Sequence, residues 1–171
     1  MNELDRLGRV TRFSKIFGSA RSLEDVCRAI DQAEEFRGLL YGTQIHSLTN
    51  RGTLVSAAVF GMESHPESEK LTLFDSHPLS DAARDREIKV VPHPMNGDFE
   101  IWAMPILKDE LTAGTMSFVS VKNALIERFS DTEMTSIGNL AYLFLSASGV
   151  PEIVKDREVA ATGQLTDRQY E

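Results

Sequence analysis

Leu4, Leu7, Val10, Ser14 and Phe17 follow one another at spacings of three and four, a mostly apolar stripe that predicts an amphipathic helix over Asn2 to Phe17, ended by Gly18. Ser22 is placed to cap a second helix. Glu24 and Asp25 fall in its first turn, and Leu23, Val26, Cys27 and Ile30 line its inner face. From Leu39 the period shortens to that of strands. The runs YGTQIHSLT and TLVSAAVFG, separated by NRG, predict a hairpin whose turn draws on Asn50 and Gly52 for positive φ. After the polar MESHPESEK comes LTLFD, a short strand or extended run, then a helical stretch from Ser80 to Arg86 and a strand from Glu87 to Val91. The prolines of PHPMNGD mark a loop.

FEIWAMPIL and TAGTMSFVSV, linked by KDEL, predict a second hairpin with apolar runs dense enough for central strands. Asp131, Glu133 and the series Met134, Ile137, Leu140, Ala141, Phe144 and Leu145 predict a long helix from near Ser130, closed or kinked by Gly149 and Pro151. Antiparallel hairpins with helices gathered on one side give an α+β architecture.

At 171 residues the chain fits one ordinary domain with helical additions. A net charge of −8 works against collection on nucleic acid or anionic membrane, so any DNA contact must lie in another segment. No stretch nears the roughly 18 apolar residues that span a bilayer, and the charged start MNELDRLGRV is not a signal sequence. Cys27 is the sole cysteine, which excludes an intrachain disulfide, a multi-cysteine zinc site and a paired-thiol redox cycle. A cytoplasmic protein with Cys27 as a small core residue is the expectation. His46, His65, His77 and His93 show no metal-ligand spacing, and metal is disfavoured. One axial histidine such as His77 or His93 would suffice for haem, yet His77-Pro78 and His93-Pro94 read more simply as loop residues beside a turn.

The stretch IWAMPILKDELTAGTMSFVS resembles the hairpin near the end of GAF domains, an apolar strand, a Pro-Leu-like pair, a polar turn, a glycine and another apolar strand. Met104-Pro105-Ile106-Leu107 and Gly114 occupy the matching places, and FSDTEMTSIGNLAYLFLSA is similar to the GAF closing helix. The resemblance implies a GAF-like (PAS-like) antiparallel sheet over residues 22–149, preceded by the amphipathic helix of residues 1–21. It also implies a small ligand held between the sheet and the variable middle segment, with Phe74, His77, Leu79, His93, Trp102, Met104 and Phe118 as candidates. On strands, Trp102, Phe118 and Met104 are more often plain core. Covalent bilin is disfavoured because Cys27 lies on an early helix, and the cyclic-nucleotide pattern of the family cannot be placed. The family's free methionine sulfoxide reductases need several cysteines, and one thiol cannot complete that cycle. The ligand's identity stays open.

The tail LTDRQYE, Leu165 to Glu171, is similar to the opening of LuxR/FixJ-type helix-turn-helix domains. Thr166 and Gln169 form a capping box, with Asp167 in the first turn of the helix they would start. One turn of helix has no local use, so a DNA-binding domain continuing past Glu171 is expected. Residues 150–163 then read as a linker and 164–171 as the start of the truncated domain. The resemblance implies the ligand-sensing and dimerisation part of a bacterial transcription regulator. Its alternative is a stand-alone GAF/PAS-like module that binds a small molecule or a protein without DNA. Homodimerisation is expected through the end helices, with Leu4, Leu7, Val10 and Phe17 on the first and Ile137, Leu140 and Phe144 on the last. With no phosphate loop, nucleophile elbow or carboxylate pair in a motif, and Glu63, Glu67 and Glu69 placed in a polar loop, the chain is expected not to be an enzyme.

Overall fold

A computed structural model describes residues 3–62 and 69–147. Glu63, His65 and Glu67, the residues Gly149 and Pro151, the linker 150–163 and the helix start 164–171 lie outside the described residues.

The chain runs α1 (Glu3–Gly18), α2 (Leu23–Gln32), a 3-10 turn (Glu34–Phe36), β1 (Leu40–Leu48), β2 (Thr53–Phe60) and β3 (Lys70–Thr72). It continues through α3 (Pro78–Asp85), β4 (Lys89–Pro92), β5 (Phe99–Lys108), β6 (Leu111–Val121) and α4 (Asp131–Ala147). Local chemistry accounts for the ends. Ser22 Oγ accepts the Asp25 amide at 3.0 Å, the expected cap of α2. Ser130 and Glu133 close a capping box on α4: Ser130 Oγ accepts the Glu133 amide at 3.3 Å, and Glu133 Oε2 accepts the Ser130 amide at 2.8 Å. Helix α3 starts two residues before the predicted Ser80, because His77 Nδ1 accepts the Leu79 amide at 3.2 Å and Pro78 takes the first helical position. In the first hairpin only Gly52, at φ 73°, takes positive φ, and Asn50 does not. The second hairpin turns more tightly than expected. Asp109 and Glu110 alone make the turn, at φ 50° and 64°, the left-handed pair that a twisted two-residue hairpin needs.

All six strands form one sheet in the order β3-β2-β1-β6-β5-β4, and every pairing is antiparallel. Alternation then sorts side chains onto two faces. One face carries Ile45, Ala58, Trp102, Met104, Ile106, Met116 and Phe118 into a core shared with Phe13, Phe17, Val26, Cys27, Ile30, Phe36 and Ile137 of the helical side. Phe36 is the hub of that core. Its ring lies 5.5 Å from Phe13, 5.8 Å from Phe118 and 4.9 Å from Phe129, joining α1, the sheet and the approach to α4. The opposite face packs Leu48, Leu54 and Ala103 against Leu79, Ala82 and Ala83 of α3 and Leu71 of β3. The end helices and α2 therefore gather on one side of the sheet, with α3 alone on the other.

Phe17 and Ile137, expected on an association stripe, are 1% and 3% exposed because they pack into this core. Leu4 and Leu7 are 76% and 60% exposed. The side chains of Val10, Leu140 and Phe144 lie outside the described set. Cys27 is fully buried on the inner face of α2, and burial pushes its thiol up to about 12.

Three outcomes follow from this packing. A Cβ at Gly114 would lie 2.2 Å from the carbonyl oxygen of His46, so Gly114→Ala is expected to destabilise the domain by about 3 kcal/mol in urea unfolding. An unchanged midpoint would refute the tight β1–β6 approach. Relieving the left-handed strain with Glu110→Gly should raise stability by about 1 kcal/mol, read in the same titration. Native Cys27 should label slowly with iodoacetamide at pH 8 and rapidly in urea, since the thiolate is suppressed until the core opens. Equal rates in the two states would contradict its burial.

Candidate functional site

The α3 face of the sheet is not wholly apolar. Across the three central strands it carries Gln44 and His46 on β1, Ser56 on β2, and Thr115 and Ser117 on β6. Register places them in two adjoining rows. Ser56, His46 and Thr115 are Cα partners across β2, β1 and β6, and Gln44 pairs with Ser117 in the next row. Gln44 and Ser117 are 5% and 4% exposed, while His46 and Thr115 are fully buried. Gln44 Nε2 donates to Ser56 Oγ at 2.9 Å, which fixes the carboxamide within the band. The Thr115 hydroxyl has no hydrogen-bond partner among the described residues, as is also true of Thr43 and Ser120 on the helical face. Buried polar groups are expensive when unsatisfied, and within this band the Gln44–Ser56 bond meets that cost while the Thr115 hydroxyl bears it.

Helix α3 is anchored over this face at both ends. Thr112 Oγ1 donates to the Ala83 carbonyl at 2.7 Å, Arg86 Nη1 to the Glu110 carbonyl at 3.1 Å, and Ser80 Oγ to the Thr72 carbonyl at 2.7 Å. Between the start of α3 and the edge strand β4 lies an open cleft of about 340 Å³, lined by Ser76, His77, Pro78, Asp81, Ile88, Lys89, Val90 and Val91. Its ionic groups are already matched. Lys89 Nζ sits 2.8 Å from Asp85 and 3.5 Å from Glu87, which raises the Lys89 ammonium and lowers the Asp85 carboxyl. Asp81 pairs with Arg84 at 2.5 Å. The Thr72 amide, at 2.6 Å, holds the Asp75 carboxyl below its ordinary range beside the mouth. Among the described residues no three metal-ligating side chains gather, and no helix is long and apolar enough to cross a membrane.

The seven ligand candidates do not come together. Trp102, Met104 and Phe118 are buried on the helical face, on the far side of the sheet from α3, and Trp102 Nε1 donates to Glu100 at 2.8 Å. Leu79 points from α3 into the second core, whereas Phe74 is 90% exposed. His77 lines the cleft as the cap of α3. His93 spends Nδ1 on the Met95 amide at 3.2 Å within its loop. The polar band was missed because a polar residue alternating with apolar ones in a strand reads as solvated. The signal that marks it is the combination of that alternation, as in Thr115-Met116-Ser117-Phe118, with runs dense enough to be central strands, which are covered on both faces.

No family model matches the sequence, and no curated protein does. Solved structures match the fold. The GAF domain of a phosphoenolpyruvate-protein phosphotransferase from Coxiella burnetii superposes with a TM-score of 0.62, covering 94% of this chain and 99% of its own at 14% identity. The GAF domain of A. aeolicus nlh2 in an inactive state gives 0.59, with 85% and 98% covered at 15% identity. A free methionine-R-sulfoxide reductase from Neisseria meningitidis, in complex with its substrate, gives 0.64, with 86% and 93% covered at 12% identity. Such reductases recur among the similar structures, which overturns the expectation that the chain is not an enzyme: the same scaffold is found in enzymes. The six-stranded antiparallel sheet, helices α1, α2 and α4 on one face and α3 on the other, is the GAF fold.

Proposed function

We propose that the chain is the sensory and dimerising part of a cytoplasmic transcription regulator, binding a small effector between α3 and the sheet and passing the change to a helix-turn-helix segment opening at Leu165. The observation that supports sensing most directly is the buried polar band on the α3 face of the sheet, with an open cleft between α3 and the edge strand β4. The transmission route follows from the hub at Phe36, which ties the sheet to α1 and to the approach to α4. An effector preferring one packing of these helices over another shifts their populations, and only that differential affinity drives the change. The exposed Leu4 and Leu7 supply an apolar face on α1 for the second copy. Thr166 and Gln169, matching a capping box in LTDRQYE, support the DNA-binding assignment, and the net charge of −8 on this part leaves phosphate contacts to the segment beyond.

The test is selection of genomic DNA fragments by the full-length gene product at low salt. Enrichment of two-fold symmetric sites with half-sites about one helical turn apart is expected. Loss of all retention as salt rises, with no sequence enriched at any concentration, refutes the regulator and leaves the sensing module standing alone.

A further inference from the structure

Separately from the α1 contact proposed above, we infer that the free edge of β4 pairs with β4 of a second copy of this chain, antiparallel about a two-fold axis at Val90. The sheet ends on two edges, β3 and β4, and they are finished differently. Hydrogen-bond phase tells which backbone groups face out. The Leu73 amide donates to the Gly52 carbonyl at 3.1 Å, so Leu73 and Leu71 bond inward to β2 and Thr72 faces the free side. Both outward groups of Thr72 are taken: its amide donates to Asp75 Oδ2 at 2.6 Å, and its carbonyl accepts from Ser80 Oγ at 2.7 Å. The chain closes that edge with its own residues. At the other edge the His93 amide donates to the Phe99 carbonyl at 3.0 Å, which makes Val91 and Lys89 the residues bonded inward to Ile101 and Ala103. Val90 therefore turns its N–H and C=O outward, and neither meets a partner among the described residues. Unpaired groups on a sheet edge are a template for another strand.

The outward pattern of residues 88–92 is complementary to itself, which selects a second copy as the occupant. Set about Val90, the two copies of this residue exchange both backbone bonds. The Ile88 amide, outward by the same alternation, meets the carbonyl of the partner's Pro92. Pro92 has no N–H to offer, and in this register only the Ile88 carbonyl, at each end of the contact, is left to water. Charge chooses between registers. Centring the pair on Lys89 would set two lysines directly opposite each other, which is unfavourable. Centred on Val90, Lys89 lies opposite the partner's Val91, and Glu87, 74% exposed, comes toward the partner's His93. The edge is also open to solvent: the cleft runs along Ile88, Lys89, Val90 and Val91, and Val90 is 42% exposed. With so few residues a side the pairing is weak, and it adds to other contacts between copies.

The test uses the intact chain carrying Leu4→Glu and Leu7→Glu, which removes the α1 face at two exposed positions and isolates the β4 contact. Sedimentation equilibrium should show monomer passing to dimer with a Kd of about 0.3 mM. Val90→Pro deletes only an outward N–H, so it should weaken association by about tenfold or more and leave the melting temperature nearly unchanged. Val90→Cys should form a disulfide dimer on mild oxidation, because residues that exchange both bonds lie about 5.5 Å apart at Cα. Lys89→Cys should not, since its two copies stand on a diagonal about 8 Å apart. Cys27 is fully buried and does not compete. A monomer at about 1 mM, association indifferent to a folded Val90→Pro, or cross-linking as fast at position 89 as at position 90 overturns the inference. The α1 contact is read independently, from the mass of the unsubstituted chain.

Discussion

The fold hangs on one seam. Strands β1, β2 and β3 form one antiparallel ribbon and β4, β5 and β6 another, and the two are joined only where β1 pairs with β6. That pairing links residues about seventy positions apart in the chain, so it bears the largest loop-closure cost of any contact in the sheet. It also permits no side chain where the backbones come closest, at Gly114 against the carbonyl of His46. A glycine that loosens most strands is the requirement of this one.

Both faces of the seam are built to different ends. On the helical face Phe118 reaches Phe36, and Phe36 in turn reaches Phe13 and Phe129, so the long-range strand pair and the docking of α1 share one aromatic cluster. On the α3 face the same two strands present Gln44, His46, Thr115 and Ser117. A change at the polar band therefore acts on strands whose other face holds the helices. This is a physical basis for coupling in a domain whose interior is too closely packed to deform gradually.

The likeness to solved GAF domains and to free methionine-R-sulfoxide reductases, at 12% to 15% identity for the three compared, extends to the scaffold and stops there. Function on a shared fold resides in side chains grafted onto it. Here the one thiol is buried on α2 in the helical-side core, while the polar groups gathered on the opposite face of the sheet are amide, imidazole and hydroxyl.

Periodicity and capping chemistry in the sequence were enough to determine the order of elements, the cap of α2 by Ser22, the start of α4 near Ser130 and the two hairpins, because each rests on neighbours within a few residues. The β4 strand starts at Lys89, two residues after the expected Glu87; α3 starts two residues before the expected Ser80, since His77 and Pro78 act as a helix start instead of a loop. What the sequence left undecided was the partner of each face. Trp102, Met104 and Phe118 alternate correctly, yet alternation states only that they share a side, not that this side meets α1, α2 and α4 rather than α3. In the same way Gln44 and Ser117 became neighbours only when β1 met β6. Local spacing determined the elements, and the choice of face was made by long-range strand pairing, which no stretch of chain encodes by itself.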